Sequence, residues 1–377
     1  MASFIEKIGS QNHMGDLENK MATEQFTEKL RLNNNNKIQL EKINEIIKEY
    51  AEQGYKLTLR QLFYQLVSRD VIPNVTKEYA KLSTLLVKGR MAGIVDWEAI
   101  EDRIRVPHIP YWVKGVEDAI EDTINQYRLD RQEDQDVNIE LWVEKDALSG
   151  VLSRITEHYH IKLMVNRGYT SCTAMHDSYE RFVEKIKQKK KCVILYLGDH
   201  DPSGLDMIRD IRDRLKEFLI NSDGLRSIWG KKCMNQDEDV DDLRYELEEE
   251  FLDYENEKEK RKCEFIIDSD GNLLPDFAKM YACKLFNEFM EVRPIGLTME
   301  QIKKYSPPPN PAKVSDPRAD LYIEKFGRVS WEVDALNPET LHSLVRENVE
   351  GLIDINLFNK KIEQEEKDKK KIRGMIK

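Results

Sequence analysis

Three carboxylates stand at places in this sequence where phosphate chemistry could be done. Glu144 closes the apolar run IELWVE, and Asp199 and Asp201 follow the apolar run VILYLG. If both runs are strands of one open α/β sheet, all three acids fall at its carboxyl edge, where ligands of such sheets collect. Alternate residues of an extended segment project to one side, so Asp199 and Asp201 can act together while His200 turns away. Such a set suits Mg²⁺, with Mn²⁺ as a substitute: a hard ion held by carboxylates, water and phosphate oxygens can stabilise attacking and leaving oxygens together. Each acid also has a plainer reading. Asp201 before Pro202 is a natural helix N-cap with proline at the first helical position, Asp146 could cap the preceding helix, and Glu144 could be a solvated strand end. Taken together the three repel one another unless a cation compensates them. A second pattern, Ser330-Trp331-Glu332-Val333-Asp334, places Glu332 and Asp334 on one face of an expected strand. They could supply a second metal or outer-shell ligands, or be the polar side of an ordinary strand.

The elements that must position these acids are legible as a change of pattern. From about residue 136 the chain alternates strand-like runs (NIELWVE, IKLMVN, CVILYLGD) with helical ones (DALSGVLSRITEHY, CTAMHDSYERFVEKI, PSGLDMIRDIRDRLKEF), which argues for a parallel sheet of βαβ units. A further strand, KCEFIID, is expected after an acidic insertion around 236–261, and SPPPNPAKVSDP reads as a Pro-rich surface crossing. Upstream, residues 1–36 are polar and weakly periodic, an expected flexible arm. Residues 37–135 begin with three helical patterns, the last over about Glu78–Met91, and end in a polar linker near Asp130–Asp136. Between Lys56 and Lys114 ten basic residues face six acidic ones, although the whole chain carries a formal charge of −11. Three short helices in a locally basic segment suggest a helix-turn-helix or winged-helix (CAP-like) DNA-binding domain. The fold class expected is therefore α/β, a helical winged-helix domain at 37–135 followed by a Rossmann-like domain at 136–335, with C-terminal helices at 336–377.

Composition narrows the class. No run approaches the roughly 18 apolar residues of a membrane span. The first residues lack a secretory layout, so a cytoplasmic or nucleoid-associated protein is expected. Five cysteines without a CxxC pair suggest neither a disulfide framework nor a zinc site, but reduced and mostly buried thiols. His158 and His160 at a helix end, and the run Lys187–Lys191, read as structural or solvated.

With Glu144-Lys145 at the first strand end and Asp199-His200-Asp201-Pro202-Ser203-Gly204 at the later one, the chain resembles the Toprim domain. It is most similar to the topoisomerase VI A subunit and its meiotic double-strand-break relative, over about Asn138–Phe218. The resemblance implies a Mg²⁺-dependent Toprim site in which Lys145 accompanies the catalytic Glu144. In that family a winged-helix domain precedes Toprim and carries a nucleophilic tyrosine, and Arg60-Gln61-Leu62-Phe63-Tyr64 fits the segment. At roughly 100° per residue Tyr64 lies about 130° from the centre of the Leu59/Leu62/Phe63/Leu66 face, so it is expected to lean outward. Arg60, one turn earlier, could hold a phosphate and favour the tyrosinate. The resemblance implies attack on DNA to give a 5′-phosphotyrosyl link, in a homodimer where Tyr64 of one chain meets the metal site of the other. With no GxxxxGK[ST] motif, strand passage would need a separate ATPase partner. Two alternatives stand beside this: a hydrolytic Toprim endonuclease, as in plasmid or phage defence, and an inactive nucleic-acid-binding subunit. On the plainer reading Tyr64 is a packing residue. Arg69, Arg90, Arg103 and Arg105 are expected to contact the DNA backbone.

Overall fold

The apolar runs around the candidate acids do form the strands of a parallel sheet. In the computed structural model the described residues are 25–26, 32–102, 110–221, 286–312 and 316–376. The acidic insertion, the KCEFIID strand, Arg103 and Arg105 lie outside them. The chain divides into two compact units, Met1–Pro107 and His108–Lys377.

In the first unit Asn33 accepts the Asn36 N–H at 2.8 Å and opens helix α1, Asn34–Glu52, three residues earlier than expected. Its inward stripe is Leu40, Ile43, Ile46, Ile47 and Tyr50. Helix α2, Leu59–Ser68, starts on a capping box between Thr58 and Gln61. Helix α3 spans Thr76–Met91, and Leu57 forms an isolated parallel bridge with Ile100. The three helices stand where the sequence puts them. Beyond that bridge, the described residues of this unit carry no strand pairing.

The second unit is mixed α/β. Strands β1 (Val137–Val143), β2 (Lys162–Val165), β3 (Lys191–Leu197) and β4 (Met290–Gly296) make a wholly parallel sheet in the order β2-β1-β3-β4. Trp142, Ile194 and Tyr196 enter a core with residues of α6 (Cys172–Lys187) and α7 (Pro202–Asn221), among them Met175, Phe182, Ile211 and Leu215. The alternate residues Ile139, Leu141, Val193 and Leu195 are also fully buried. A sheet covered on both faces needs near-continuous apolar strands, and β1 and β3 read that way. Helix α5 (Ser149–Tyr159) joins β1 to β2. After β4 come α8 (Met299–Tyr305), the small antiparallel pair β5 (Asn310–Pro311) and β6 (Val329–Ser330) with α9 (Ala319–Phe326) between them, then α10 (Pro338–Glu350) and α11 (Ile355–Ile376). Among the described residues no helix is long and apolar enough to cross a membrane. Of the two described cysteines, Cys192 is buried and Cys172 is exposed.

The unit boundary at 107/108 corrects the one expected at 135/136. Helix α4 (Val116–Gln126) belongs to the second unit: Glu121 pairs with Arg373 at 2.8 Å and Tyr127 donates to Asp368 at 3.0 Å. The polar run 130–136 misleads because its side chains work inside the unit. Gln132 accepts the Ile139 N–H at 2.6 Å and donates to the His160 carbonyl at 2.8 Å. Arg131 makes a fork with Glu365, Nε and Nη2 donating at 2.9 and 2.7 Å, and also donates to the His158 carbonyl. The Glu365 side chain is 1% exposed. Arg131→Met therefore strands a buried carboxylate, and we expect a loss of about 3–5 kcal/mol in urea unfolding. The double variant Arg131→Met/Glu365→Met should recover most of it; a single variant as stable as wild type would refute the clamp.

Candidate active site

The carboxylates meet at the carboxyl edge of the sheet because strand ladders continue into the loops that bear them. Glu144 N–H donates to the Leu197 carbonyl at 3.1 Å just beyond β1. Its Oε2 accepts the Asp199 N–H at 3.0 Å, which ties the ends of β1 and β3 side by side. Asp199 is 7% exposed; its Oδ1 accepts the Val333 N–H at 2.8 Å and its Oδ2 lies 2.8 Å from Lys145 Nζ. Asp201 caps α7: its Oδ1 accepts the Gly204 N–H at 2.7 Å and the Ser203 hydroxyl at 2.9 Å. The capping reading of Asp201 is thus real, and it occupies one carboxylate oxygen. Gly204 is required by close approach, since a Cβ there would stand 2.3 Å from the Asp199 carbonyl oxygen.

His200 turns away as expected. It bridges Trp331 backbone to backbone and packs among Tyr322, Phe326 and Trp331, its Nδ1 2.9 Å from the Tyr322 hydroxyl. That bridge also corrects the strand expected over Ser330–Asp334. β6 stops at Ser330, and a 3-10 turn forms over Val333–Ala335. The chain leaves the extended form because Val333 gives its N–H to Asp199 rather than to a strand. Glu332 and Asp334 nevertheless converge, on Lys145: Nζ lies 2.6 Å from Glu332 Oε2 and 2.9 Å from Asp334 Oδ1. That convergence was not readable from sequence, where 187 residues separate Lys145 from Glu332.

The edge therefore gathers Asp199, Glu332 and Asp334 on the ammonium of Lys145, with Glu144 and Asp201 beside them. Burial, joined by the charges of Glu144 and Asp334, outweighs Lys145 and pushes the Asp199 carboxyl up to about 8. Burial also raises Glu144, with Asp201 and Asp334 adding to the shift against the Asp199 N–H and Lys145. Negative charge here exceeds what one lysine offsets. The donors are all hard oxygens, which fits a divalent cation such as Mg²⁺. Among the described residues the trio with ligand atoms all within 4.8 Å of one another is a different one, His176, Asp177 and Glu180, exposed on α6.

The expected nucleophile and DNA contacts fare differently. Tyr64 is 5% exposed, not leaning outward; its ring packs edge-on against Phe63 with centroids 5.4 Å apart. The helical wheel fails because the middle of α2, Gln61 through Val67, is buried on all sides instead of along one stripe. Arg60 lies with Cζ 5.7 Å from the Tyr64 ring centroid. Arg69 forms a two-pronged pair with Glu49 at 2.8 and 2.6 Å. Arg90 lies over Trp97 at 4.5 Å and donates to the Trp97 carbonyl at 2.6 Å. Both arginines are thus engaged within their own unit.

No protein-family model, no curated protein and no solved structure matches this chain.

Proposed function

We propose that the chain is a Toprim-like enzyme that cleaves phosphodiester bonds in DNA, with Glu144, Asp199 and Asp201 as ligands of a divalent cation. The observation that carries this reading is the surplus of buried carboxylate at one sheet edge, large enough to push Asp199 up to about 8. A bound Mg²⁺, or Mn²⁺ in its place, would supply charge to the phosphate oxygens and lower the pKa of an attacking water. Glu332 and Asp334 hold Lys145 at 2.6 and 2.9 Å, so its ammonium stays fixed beside the carboxylates, where it can balance charge on a phosphate oxygen. Glu144, raised by burial, is a stronger base than an ordinary carboxylate and can accept a proton from the nucleophile.

Water is the nucleophile in this proposal, because Tyr64 is buried. A covalent phosphotyrosyl route is the second reading, favoured by the guanidinium of Arg60 beside the Tyr64 ring. To separate them, supercoiled DNA is incubated with the protein and Mg²⁺ or Mn²⁺ and quenched in detergent. Tyr64→Phe should cut within about twofold of wild type, and no protein should remain attached to 5′ ends. A wild-type adduct that disappears in Tyr64→Phe would instead establish the covalent route. Absence of cleavage with either ion would remove both.

A further inference from the structure

The sheet edge continues past the acids onto β2. Trp142 is opposite Met164 and Val143 opposite Val165, and beyond the strand Asn166 N–H donates to the Val143 carbonyl at 2.9 Å and Arg167 N–H to the Glu144 carbonyl at 3.0 Å. Trp142 and Met164 face the same core. Side chains alternate along a strand, so Asn166 leaves the sheet on the face of Glu144, one strand spacing of about 4.8 Å away. Both polar atoms of its carboxamide are buried and have no hydrogen-bond partner among the described residues. The hydroxyl of Thr170, a residue 6% exposed, is in the same condition. Buried amides and hydroxyls nearly always find a partner in protein or ordered water, and orphaned ones beside a carboxylate cluster are placed to take polar atoms from a ligand.

The rim of this place is aromatic. Tyr169 is 42% exposed, and its hydroxyl donates to Asp206 at 2.6 Å. Arg318 lies over its ring at 5.3 Å and donates to the same carboxylate at 2.7 Å, which fixes the ring beside the first turns of α7. Arg214 holds the loop from below by donating to the Thr170 carbonyl at 2.6 Å.

We infer that Asn166, Tyr169 and Thr170 form a nucleotide subsite next to the carboxylates, in which the base stacks on Tyr169 while Asn166 and Thr170 hydrogen-bond the sugar–phosphate backbone. The inference rests on the nucleic-acid reading above. A base can stack on a side chain only after leaving its own stack, so the subsite takes a single-stranded or frayed nucleotide. The test is fluorescence anisotropy of the full chain with a short labelled single-stranded DNA in Ca²⁺, alongside melting temperatures and cleavage in Mg²⁺. Tyr169→Ala should weaken binding about tenfold or more, and Tyr169→Phe, which keeps the ring, should stay within about twofold. Asn166→Leu should weaken binding while its melting temperature holds or rises. If wild type binds and cuts but Tyr169→Ala and Asn166→Leu bind equally well, the subsite falls and the enzymatic reading stands. Asn166→Leu with a lowered melting temperature and unaltered binding also overturns it, by making the residue structural. A wild type that neither binds nor cuts overturns both.

Discussion

Asp199→Asn should stabilise the metal-free protein and at the same time abolish metal-dependent cleavage. In wild type the Asp199 carboxyl is 7% exposed and pushed up to about 8 by burial and by Glu144 and Asp334. A folded-state pKa above the unfolded one means that the contribution to stability is fully present below the unfolded value, near 4, and is lost as pH rises through 8. Metal-free wild type should therefore weaken between pH 5 and pH 8, as read by urea midpoints at the two pH values. Asparagine removes the charge and keeps an oxygen for the Val333 N–H. The variant should flatten that profile and gain on the order of 1–3 kcal/mol at pH 8. Wild type should recover stability on adding Mg²⁺, more at pH 8 than at pH 6, because the ion competes with protons for the same oxygens. Asp199→Asn should lose that gain, and cleavage should drop by about a thousandfold or more. A variant that is less stable than wild type at pH 8 and still cuts would show that Asp199 is structural.

How far the site was readable from sequence depends on whether its partners are local. Glu144, Asp199 and Asp201 were legible because IELWV and VILYL are apolar without interruption, the mark of a parallel strand buried on both faces, and the acids fall just past their ends. The alternation in Ser330–Asp334 was misleading: a strand pattern says which residues could share a face, but Asp199 takes the Val333 N–H and turns the chain instead. Tyr64 was misplaced for a related reason. A helical wheel assigns one dry stripe, and the buried Gln61 and Gln65 show that the middle of α2, Gln61 to Val67, has no wet side. The partners of Arg69 and Arg90, and of Arg131 in the expected linker, left no sign in the sequence, because no local pattern ties them to Glu49, Trp97 and Glu365. Asn166 left no signal of its own; only the register of β2 against β1 puts it beside Glu144.

Lys145→Met should have the opposite sign to Asp199→Asn. The lysine side chain is 16% exposed and touches Asp199, Glu332 and Asp334 at 2.8, 2.6 and 2.9 Å, while the Asp334 side chain is fully buried. Methionine keeps the length of the stem and removes the ammonium, so packing changes little and charge balance changes by a full unit. Taking one partner from a buried ionic cluster leaves charges with neither water nor counter-ion, and the expected loss is about 3–5 kcal/mol at pH 8. Two remedies distinguish this cause from a packing defect. Lowering the pH to about 5.5 protonates the Asp199 carboxyl, raised to about 8, and should return part of the stability. Adding Mg²⁺ should raise the melting temperature of Lys145→Met by more than that of wild type, because the ion then meets an uncompensated cluster. The double variant Lys145→Met/Asp199→Asn should be more stable than Lys145→Met alone, the two changes being strongly non-additive across a 2.8 Å contact. Additive effects in that cycle, or a Lys145→Met protein indifferent to pH and Mg²⁺, would mean that the acids at this edge do not repel one another. The case for a cation site would lose its support with them.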